Sequence, residues 1–460
     1  MNNLPGALLN SLQGLPGFDK EAFEKVHQSG EQITSIRFNP KKIFNTQYSI
    51  FNEQLDKIPW TGNGYYLSSR PSFTLDPLFH AGVYYVQEAS SMFLEEVLKQ
   101  SIDLSKPIKV LDLCAAPGGK STLIQSIISN ESLLISNEVI KTRVNILSEN
   151  ITKWGASNIV VTNNDPKDFR RLKNYFDVIV VDAPCSGSGL FRKENEAIDE
   201  WSTQNVQLCS QRQQRILADT LPSLKDDGIL IYSTCSYSKD EDEEICDWVI
   251  ENYQLSTIHY QLNEEWNIVE TKSPKHSGYG YRFYPDKVKG EGFFIAGFKK
   301  ELHNSGNEIK TLKHRNKIEK ISPKEIEAIK PFLKNPAHFF FIKLNEEIIA
   351  LPIALENELL ILQSALYIKK AGVKLGTVIR DELIPSHELA VSTIISDDIN
   401  SVEPDKENAL QYLRRAEIKL DESRKGWVLL RFRQTPLGWV KILAGRLNNY
   451  YPKDWRILNK

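Results

Sequence analysis

The sequence predicts an α/β fold whose main domain is a doubly wound, mostly parallel sheet. Short apolar runs alternate with segments of helical periodicity, a Pro-Gly-Gly turn follows the first run, and polar residues follow the later ones. Strands of a parallel sheet are covered on both faces and therefore read as continuous apolar runs. Because ligands bind at the carboxyl edge of such sheets, the polar residues there are the candidate site residues.

The length and composition indicate a globular protein with several domains. The chain has 460 residues, of which 41% are hydrophobic and 25% are charged, and at about 150 residues per domain we expect roughly three domains. No basic start is followed by an apolar core, and no apolar run approaches the ~20 residues that cross a bilayer. We therefore expect a cytoplasmic monomer with no membrane partner.

The first 75 residues read as a small leading module. A helical pattern over 18–27 precedes a strand-like segment over 34–39, in which Arg37 lies among apolar neighbours. From these residues alone, Arg37 is either a surface charge or a ligand contact.

The main domain is predicted to span 76–300. Helical patterns cover 92–99, 123–128, 142–154 and 203–222, and the apolar runs alternate with them as expected for βαβ units. The predicted strands are 108–113, 133–136, 159–162, 178–181, 229–232 and 293–298.

The remaining chain divides by charge and periodicity. We expect a charged linker over 301–322, a small α+β domain of ferredoxin-like type over 323–390 with strands at 339–342 and 359–362, and a basic domain over 391–460 with strands at 427–432 and 439–443. The net charge of the chain is −2, yet residues 408–460 contain twelve lysines and arginines against four acids. Such a segregated basic end indicates a polyanionic partner.

The turn after the first strand predicts a cofactor site. Gly118 and Gly119 let the backbone approach a ligand, Glu138 follows nineteen residues after Gly119, and Asp165 ends the third strand. Each acid alone is more often a helix cap or turn residue, but together they fit the ribose and adenine of an adenosine-containing cofactor. The turn lacks the G-x-G-x-x-G pattern, which favours a compact cofactor over a dinucleotide.

Two of the five cysteines are candidates for chemistry. Their odd number and the absence of a CxxC pair argue against a disulfide framework and against a metal site. Cys209 and Cys246 fit core positions, whereas Cys185 and Cys235 follow adjacent strands in polar turns, where Lys120 favours a thiolate.

Three motifs together resemble the Nop2/Sun family of S-adenosylmethionine-dependent RNA cytosine-5 methyltransferases. These motifs are residues 112–120, 182–187 and 233–236, and the resemblance extends to 35–39, 87–90 and 291–294. Details at 189–193, 281–285, 438–439 and 449–452 are similar to a bacterial subgroup, the F-type methyltransferases of small-subunit ribosomal RNA. The resemblance implies a class I methyltransferase fold with a seven-stranded, mostly parallel sheet, an N-terminal RNA-binding or accessory module and a PUA-like RNA-binding end.

The resemblance also implies roles at the site. Cys235 is expected to add to C6 of cytosine, Cys185 to assist release, and Asp182 to hold the N3/N4 edge of the base, with Lys120 close by. S-adenosylmethionine is the expected cofactor, and 16S ribosomal RNA is the expected substrate. The expected cofactor-binding residues are Ala115, Ala116, Pro117, Gly118, Gly119, Lys120, Ser121, Glu138, Asp165 and Asp182.

RNA contacts are expected from rings and cations in three segments. We expect the tryptophans 427 and 439 to be core residues, with the arginines around them facing the RNA backbone. The expected RNA-contact residues are Arg37, Phe191, Arg192, Lys193, Arg431, Arg433 and Lys441.

Other functions fit the same fold. The chain could be a non-catalytic RNA-binding ribosome assembly factor or a transfer-RNA cytosine-C5 methyltransferase. A nicotinamide dehydrogenase is disfavoured by the missing dinucleotide pattern, and an amino-methylating enzyme has no use for a pair of thiols.

Overall fold

The computed structural model describes residues 4–42, 55–302, 319–420, 425–444 and 446–458. The described residues of the leading segment form three α-helices and a four-stranded antiparallel sheet in the order β2-β3-β1-β4. Its elements are α1 (Gly6–Leu12), α2 (Lys20–Gln28), β1 (Thr34–Phe38), β2 (Asp56–Lys57), β3 (Gly64–Leu67), α3 (Pro77–His80) and β4 (Tyr84–Val86). The predicted helix at 18–27 and strand at 34–39 correspond to α2 and β1.

The central domain alternates strands and helices as predicted. Its helices are α4 (Leu94–Ser101), α5 (Gly119–Ile127), α6 (Lys141–Trp154), α7 (Glu196–Glu200), α8 (Thr203–Thr220) and α9 (Glu243–Tyr253). Its strands are β5 (Lys109–Asp112), β6 (Leu133–Asn137), β7 (Ile159–Thr162), β8 (Phe176–Asp182), β9 (Leu224–Thr234), β10 (Leu255–Thr257), β11 (Val269–Lys272), β12 (Tyr279–Phe283) and β13 (Phe293–Lys300).

The central sheet has the predicted seven-stranded, mostly parallel core. Five parallel strands run in the order β7-β6-β5-β8-β9, and β13 pairs antiparallel with β9 before β12 completes the seven. β10 and β11 extend the sheet beyond this core. Apolar residues from the two faces of the sheet form two separate buried clusters, which is why its strands are apolar along their whole length.

The middle segment forms a second sheet and lends one strand to the first. Its elements are β14 (Glu319–Lys320), α10 (Pro323–Ile329), β15 (Phe339–Leu344), β16 (Glu347–Pro352), α11 (Glu356–Ala365), β17 (Ile368–Ala371), β18 (Val373–Ile379), β19 (Glu382–Pro385) and α12 (His387–Val391). β14, β15, β16, β18 and β19 pair antiparallel in that order, whereas β17 pairs antiparallel with β7 of the central sheet.

Three expectations for this segment need correction. The successive antiparallel strand order is not the split βαβ order of a ferredoxin-like domain. Residues 359–362 lie in α11, because their apolar side chains belong to a helix that packs on the central domain. Of the expected linker, residues 319–320 form β14, which pairs with β15, and residues 303–318 lie outside the described residues.

The described residues of the basic end form a four-stranded sheet and one α-helix. The elements are β20 (Ser401–Val402), α13 (Lys406–Arg414), β21 (Gly426–Phe432), β22 (Thr435–Leu443) and β23 (Arg446–Asn449), in the order β20-β21-β22-β23. The predicted strands at 427–432 and 439–443 are therefore confirmed, and Trp439 is fully buried.

The segments share cores with one another. Side chains of α13, β21 and β22 form one apolar cluster with residues of β1, β3 and α3, and Trp439 belongs to another with the middle sheet. The buried amine of Lys42 donates to the carbonyls of Ala81, Lys153 and Val391, which belong to three different segments. In the described part of the chain, no helix is both long and apolar enough to cross a membrane.

Candidate active site

The sequence-predicted site residues converge at the carboxyl edge of the central sheet. β5 ends at Asp112, β8 at Asp182 and β9 at Thr234. Because Asp182 on β8 is in register with Ser233 on the neighbouring parallel strand β9, the turns that follow these two strands start side by side. Each turn carries one of the candidate cysteines.

The two candidate thiols are in direct contact. The Sγ atoms of Cys185 and Cys235 lie 3.0 Å apart, and both cysteines are free and partly accessible. The hydrogen bond to Cys235, together with burial, raises the pKa of the Cys185 thiol well above its ordinary value. Cys209 and Cys246 are buried, as expected for core positions. The site therefore pairs one thiol that holds its proton with a second thiol that it can bond to.

A lysine–aspartate pair adjoins the thiols. Lys120 in the first turn of α5 places its Nζ 2.8 Å from Oδ2 of Asp182, while the hydroxyl of Ser233 donates to Oδ1 of the same carboxylate. Burial lowers the pKa of Lys120, but the charge and hydrogen bond of Asp182 outweigh it, so that the pKa is raised. Cys235 also contributes electrostatically to the raised pKa of Lys120. Lys120 of α5 thus places a fixed positive charge beside the carboxylate at the end of β8.

The glycine turn is held open by side chains of α6. Gly118 has φ +118°, a value that side-chain-bearing residues rarely adopt, and it precedes α5 directly. Asn150 donates to the carbonyl of Pro117 and Arg143 donates to that of Ala116, so both carbonyls point away from the helix start. Among the described residues no side chain caps α5, which leaves its first N–H groups for a ligand.

The two candidate cofactor acids follow the next two strands of the sheet, β6 and β7, on one side of this turn. Glu138 follows β6 and is almost fully buried; its Oε1 accepts from the N–H of Ile140, and Arg143 lies 3.6 Å from Oε2. Asp165 follows β7 and accepts from the N–H of Lys167. Asp165 is thus both a cap and a partly exposed carboxylate, so the two interpretations of this residue are compatible.

The structure also tests whether an adenosine-type cofactor fits. Asp112 is fully buried behind the turn, where its Oδ2 accepts from Ser121 and its Oδ1 has no hydrogen-bond partner among the described residues. Burial raises the pKa of Asp112 to about 7, although the bond from Ser121 opposes this shift. An uncapped helix start, an unpartnered buried oxygen and two acids at successive strand ends are the features that such a cofactor requires.

One residue that organises this edge was not predicted from the sequence. The side chain of Asn137 donates to the carbonyls of Leu113 and Asn164 and accepts from Thr162, so that it joins the ends of three neighbouring strands. An asparagine at a strand end is common in turns, and nothing in the sequence distinguishes this one from a solvated loop residue.

Three of the expected RNA contacts are wrong, because the structure buries them. Arg37 is 1% exposed, stacks on Trp154 and donates to Gln87 and Thr122. Phe191 is 2% exposed in an apolar cluster. Arg192 is also turned inward, since it donates to the carbonyls of residues 31 and 290, whereas the neighbouring Lys193 is exposed.

The three expected RNA-contact cations of the C-terminal hairpin, which is formed by β21 and β22, remain accessible. Arg433 in the turn is exposed, Lys441 lies over the ring of Trp427, and Arg431 donates to the carbonyl of Gln434. Within the described ranges, none of these three cations forms an ion pair with a carboxylate. They stay candidates for contacts with phosphate.

Family models cover most of the chain. Residues 100–299 match the 16S rRNA methyltransferase RsmB/F model, residues 399–457 match the methyltransferase RsmF PUA domain, and residues 4–89 match the N-terminal domain of 16S rRNA methyltransferase RsmF. The three matches correspond in turn to the central, basic and leading segments described above.

Solved structures support the fold over about two thirds of the chain. A methyltransferase homologue from Pyrococcus horikoshii is 26% identical with a TM-score of 0.51, and the alignment covers 65% of this chain and 100% of that one. NSun6 from the same organism, solved with SFG, is 20% identical with a TM-score of 0.54 over 65% of this chain and 99% of its own, and it supports the fold alone.

Curated relatives extend the similarity to nearly the whole chain. Ribosomal RNA small subunit methyltransferase F from Shewanella woodyi is 30% identical over 435 residues, which is 91% of this chain and 90% of the relative. The protein of the same name from Aeromonas salmonicida is 30% identical over 442 residues, with the same coverage. The resemblance seen in the motifs is thereby confirmed: the chain belongs to the ribosomal RNA small subunit methyltransferase F family, and it is a methyltransferase.

Proposed function

We propose that this enzyme transfers a methyl group from S-adenosylmethionine to C5 of cytosine in the RNA of the small ribosomal subunit. The observation that carries the proposal is the 3.0 Å contact between the sulfurs of Cys185 and Cys235 at the cofactor edge of the sheet. Methylation of an exocyclic amine or a ribose hydroxyl needs no thiol, whereas C5 of cytosine needs one to become nucleophilic.

The nucleophile is Cys235. Its sulfur adds to C6 of the cytosine, and the electron pair of the C5–C6 bond then makes C5 nucleophilic toward a methyl group. After C5 has been methylated, its proton is removed, the C5–C6 double bond reforms and the bond between C6 and the sulfur breaks. Cys185 assists this last stage as a thiolate that accepts the C5 proton, and the raised pKa of this thiol makes its ionised sulfur a strong base.

Asp182 and Lys120 serve the base during the addition. Oδ1 of Asp182 is held by Ser233 and Oδ2 by Lys120, which fixes the carboxyl group for hydrogen bonds to the N3/N4 edge of cytosine. Lys120 balances the negative charge of the carboxylate and of a thiolate at Cys235. The two residues therefore orient the base and stabilise the charge that develops as sulfur adds.

S-adenosylmethionine supplies an electrophilic methyl group when it is bound. The backbone of residues 115–121 and the side chains of Glu138, Asp165 and Asp182 are the groups that we assign to it. Glu138 and Asp165 suit the ribose hydroxyls and the adenine amino group, and the N–H groups at the start of α5 suit the carboxylate of its methionine part.

The substrate base must leave its helix. Both faces of the ring are needed, one for sulfur and one for the methyl group, so the cytosine has to be single-stranded or flipped out. Lys193, Arg431, Arg433 and Lys441 are the residues that we assign to the RNA backbone. We further propose that the enzyme acts as a monomer in the cytoplasm, where its five cysteines stay reduced, and we keep 76–300 as the catalytic domain.

Incorporation of label tests the proposal. Purified enzyme is incubated with tritiated S-adenosylmethionine and with 16S ribosomal RNA or small subunits from a strain lacking the gene, and bisulfite sequencing then identifies the modified cytosines. We expect one or a few sites of 5-methylcytosine. RNA affinity without label would support a non-catalytic assembly factor, and label only in transfer RNA would support the transfer-RNA enzyme.

A cysteine variant tests the mechanism separately from the identity of the substrate. With Cys185→Ala, sulfur can add to the base but release is impaired, so we expect a covalent protein–RNA complex that survives denaturing electrophoresis. Cys185→Ala,Cys235→Ala is the matched control and should form no complex. A complex that persists in this double variant would contradict the assignment of Cys235.

A further inference from the structure

The residues after the Cys235 turn form an acidic run that the structure buries. Residues 240–244 are all acids, a pattern typical of a solvated helix start, yet Glu241 and Asp242 are 0% exposed and Glu243 is 4% exposed. Buried carboxylates are retained only where they are hydrogen-bonded or paired. Their partners include the two cysteine turns and the buried Arg282.

Glu241 contacts both cysteine turns through the residues next to the sulfurs. Its Oε1 accepts from the N–H of Ser186 at 2.8 Å, and its Oε2 accepts from the hydroxyl of Ser236 at 2.7 Å and from the hydroxyl of Ser186. Gln213 of α8 donates to Oε1 at 3.0 Å. One carboxylate is thus bonded to the residue after Cys185 and to the residue after Cys235.

The next two acids hold the Cys235 turn from its other side. Asp242 accepts at 2.6 Å from the hydroxyl of Thr234, the residue before Cys235, and Thr234 in turn accepts from the N–H of Ser236. Arg282 lies 3.1 Å from Asp242 and donates to Glu243, so the charge of this pair is compensated inside the domain. The backbone on either side of Cys235 is therefore fixed by consecutive acidic residues.

The strand register alone does not set the distance between the sulfurs. Asp182 and Ser233 are in register, but Cys185 lies three residues beyond the first and Cys235 two beyond the second, in turns without regular pairing. Backbone bonds join the two turns before Cys185, from Ala183 to the carbonyl of Ser233, and after it, from Gly189 to the carbonyl of Cys235. Between these bonds the turns meet at the hydroxyls of Ser186 and Ser236, 3.3 Å apart, and Glu241 accepts from both hydroxyls.

We propose that Glu241 is a positioning residue that sets the separation of the two catalytic thiols, acting through Ser186 and Ser236. The proposal deepens the proposed function and rests on it for its consequence on methylation. It makes a second statement that does not depend on methylation, since the distance between the sulfurs controls how readily they can be joined by oxidation.

The first measurement reads this distance directly. Diamide, a thiol oxidant, joins two thiols as a disulfide while it is itself reduced to the hydrazine, and mass spectrometry of the digested protein quantifies the Cys185–Cys235 linked peptide. We expect Glu241→Ala to slow formation of this disulfide about tenfold and Glu241→Gln to slow it less, because glutamine keeps one acceptor oxygen. Glu244→Gln is the matched control, since Glu244 follows in the same run but is partly exposed and pairs with Lys239.

The second measurement reads the consequence for catalysis. We expect Glu241→Ala to lower kcat about 100-fold while KM for RNA and the Kd for S-adenosylmethionine change little, as misplacement of reacting groups does. Glu241→Gln should recover part of this loss. Ser186→Ala and Ser236→Ala should each reproduce part of the effect and add little to Glu241→Ala.

The outcomes separate the two proposals. An unchanged rate of disulfide formation in Glu241→Ala would overturn the positioning role. A loss of kcat that is accompanied by weaker cofactor binding and a lower melting temperature would also overturn it. If Glu241→Ala does not fold, the rate of disulfide formation is measured instead in Glu241→Gln and in the double variant Ser186→Ala,Ser236→Ala. An unchanged rate in both would overturn the positioning role. A wild-type enzyme that forms the disulfide but methylates no RNA would refute the proposed function, and the disulfide rates would still decide the role of Glu241.

Discussion

The catalytic edge and the C-terminal hairpin both carry cations, but they treat them differently. At the edge, Lys120 is nearly buried against Asp182, and Arg282 is fully buried against two acids. On the hairpin, Arg433 is exposed and Lys441 rests on an aromatic ring. Charges at the edge are fixed by protein partners, whereas those of the hairpin are left to solvent or to a ligand.

This difference predicts where a single substitution should have a large effect on activity, stability or RNA binding. A group held by several buried partners acts as part of one unit, so its loss has a large and non-additive effect. An exposed cation contributes to binding through screened electrostatics and adds to its neighbours roughly independently. The expected effects therefore descend in size from the edge to the hairpin and its supporting core.

The largest effect is expected at the nucleophile. Cys235→Ala removes the sulfur that adds to C6, so we expect kcat to fall by at least about 1,000-fold, with RNA affinity retained. Methylation of 16S ribosomal RNA by tritium incorporation measures this. Cys209→Ala is the control, because Cys209 is a buried core residue of α8, and it should keep near-normal turnover. Normal turnover by Cys235→Ala would remove the basis of the contrast.

The second effect concerns Arg37, which joins the leading module to the cofactor helix. Arg37→Met should lower the free energy of unfolding by about 2–4 kcal/mol, because the buried acceptors on Gln87 and Thr122 lose their donor. Denaturant unfolding checks the stability. Binding of RNA at several salt concentrations provides the discriminating control: an altered salt dependence would mean that Arg37 reaches phosphate after all.

The third effect is expected on the hairpin. Arg433→Gln,Lys441→Gln should weaken RNA binding several-fold and reduce the slope of log K against log salt by roughly 0.7 for each phosphate that is no longer neutralised. Filter binding between low and high salt measures the slope. Lys106→Gln,Lys173→Gln, which changes two exposed lysines that precede β5 and β8, is the charge-matched control. Equal slopes in both variants would show that the hairpin does not touch phosphate.

Deletion of the whole basic end would not show whether these cations contact phosphate. Helix α13 and the hairpin share an apolar core with β1, β3 and α3 of the leading module. Their removal would expose that core, so a loss of RNA affinity would be mixed with a loss of folding. Point changes at exposed cations avoid this problem.

The last effect is a pH dependence of stability at two buried histidines, one in the leading segment and one in the middle segment. Burial lowers the pKa of His80 to about 4 and that of His387 to about 3, from about 6.5 when unfolded. Only the unfolded state binds these protons between pH 6.5 and 4, so stability is full above pH 6.5 and falls as the pH drops through this window. The loss is about 1.4 kcal/mol per histidine at pH 5.5.

Variants can assign this pH dependence. His387→Gln should reduce the loss of stability between pH 7 and 5.5, as measured by denaturant unfolding at each pH. His276→Gln, at an exposed position beside Glu251, should leave it unchanged. An identical pH profile in wild type and His387→Gln would contradict the neutral state of this buried ring.

Sequence reasoning reached the sheet and the two thiols because both leave local signals. An apolar run ending in a polar turn predicts a strand and its ligand edge, and Cys185 and Cys235 lie in such turns. The middle segment was harder, since 359–362 is equally apolar as a strand or as one turn of a helix, and its true state depends on packing against the central domain.

The errors at charged residues have one cause. Arg37 and Arg192 were expected at the surface, and Glu241 was not singled out, because no local pattern tells whether a charged side chain will find a buried partner. Arg37 donates to Gln87, which lies 50 residues further along the chain, and Glu241 accepts from Ser186, which follows a different strand. Such pairings are properties of the tertiary fold, and they become visible only when the strands are brought into register.

β17 has a consequence for how the enzyme can be taken apart. This strand comes from the middle segment but covers β7, the outermost parallel strand beside the cofactor acids. A fragment ending near residue 300 would keep every residue of the proposed chemistry and yet present β7 as a bare row of amide and carbonyl groups, open to pairing with another chain. Attempts to reduce this protein to a minimal methyltransferase should therefore retain residues 368–371, or replace their cover, before a loss of activity is blamed on the missing RNA-binding domain.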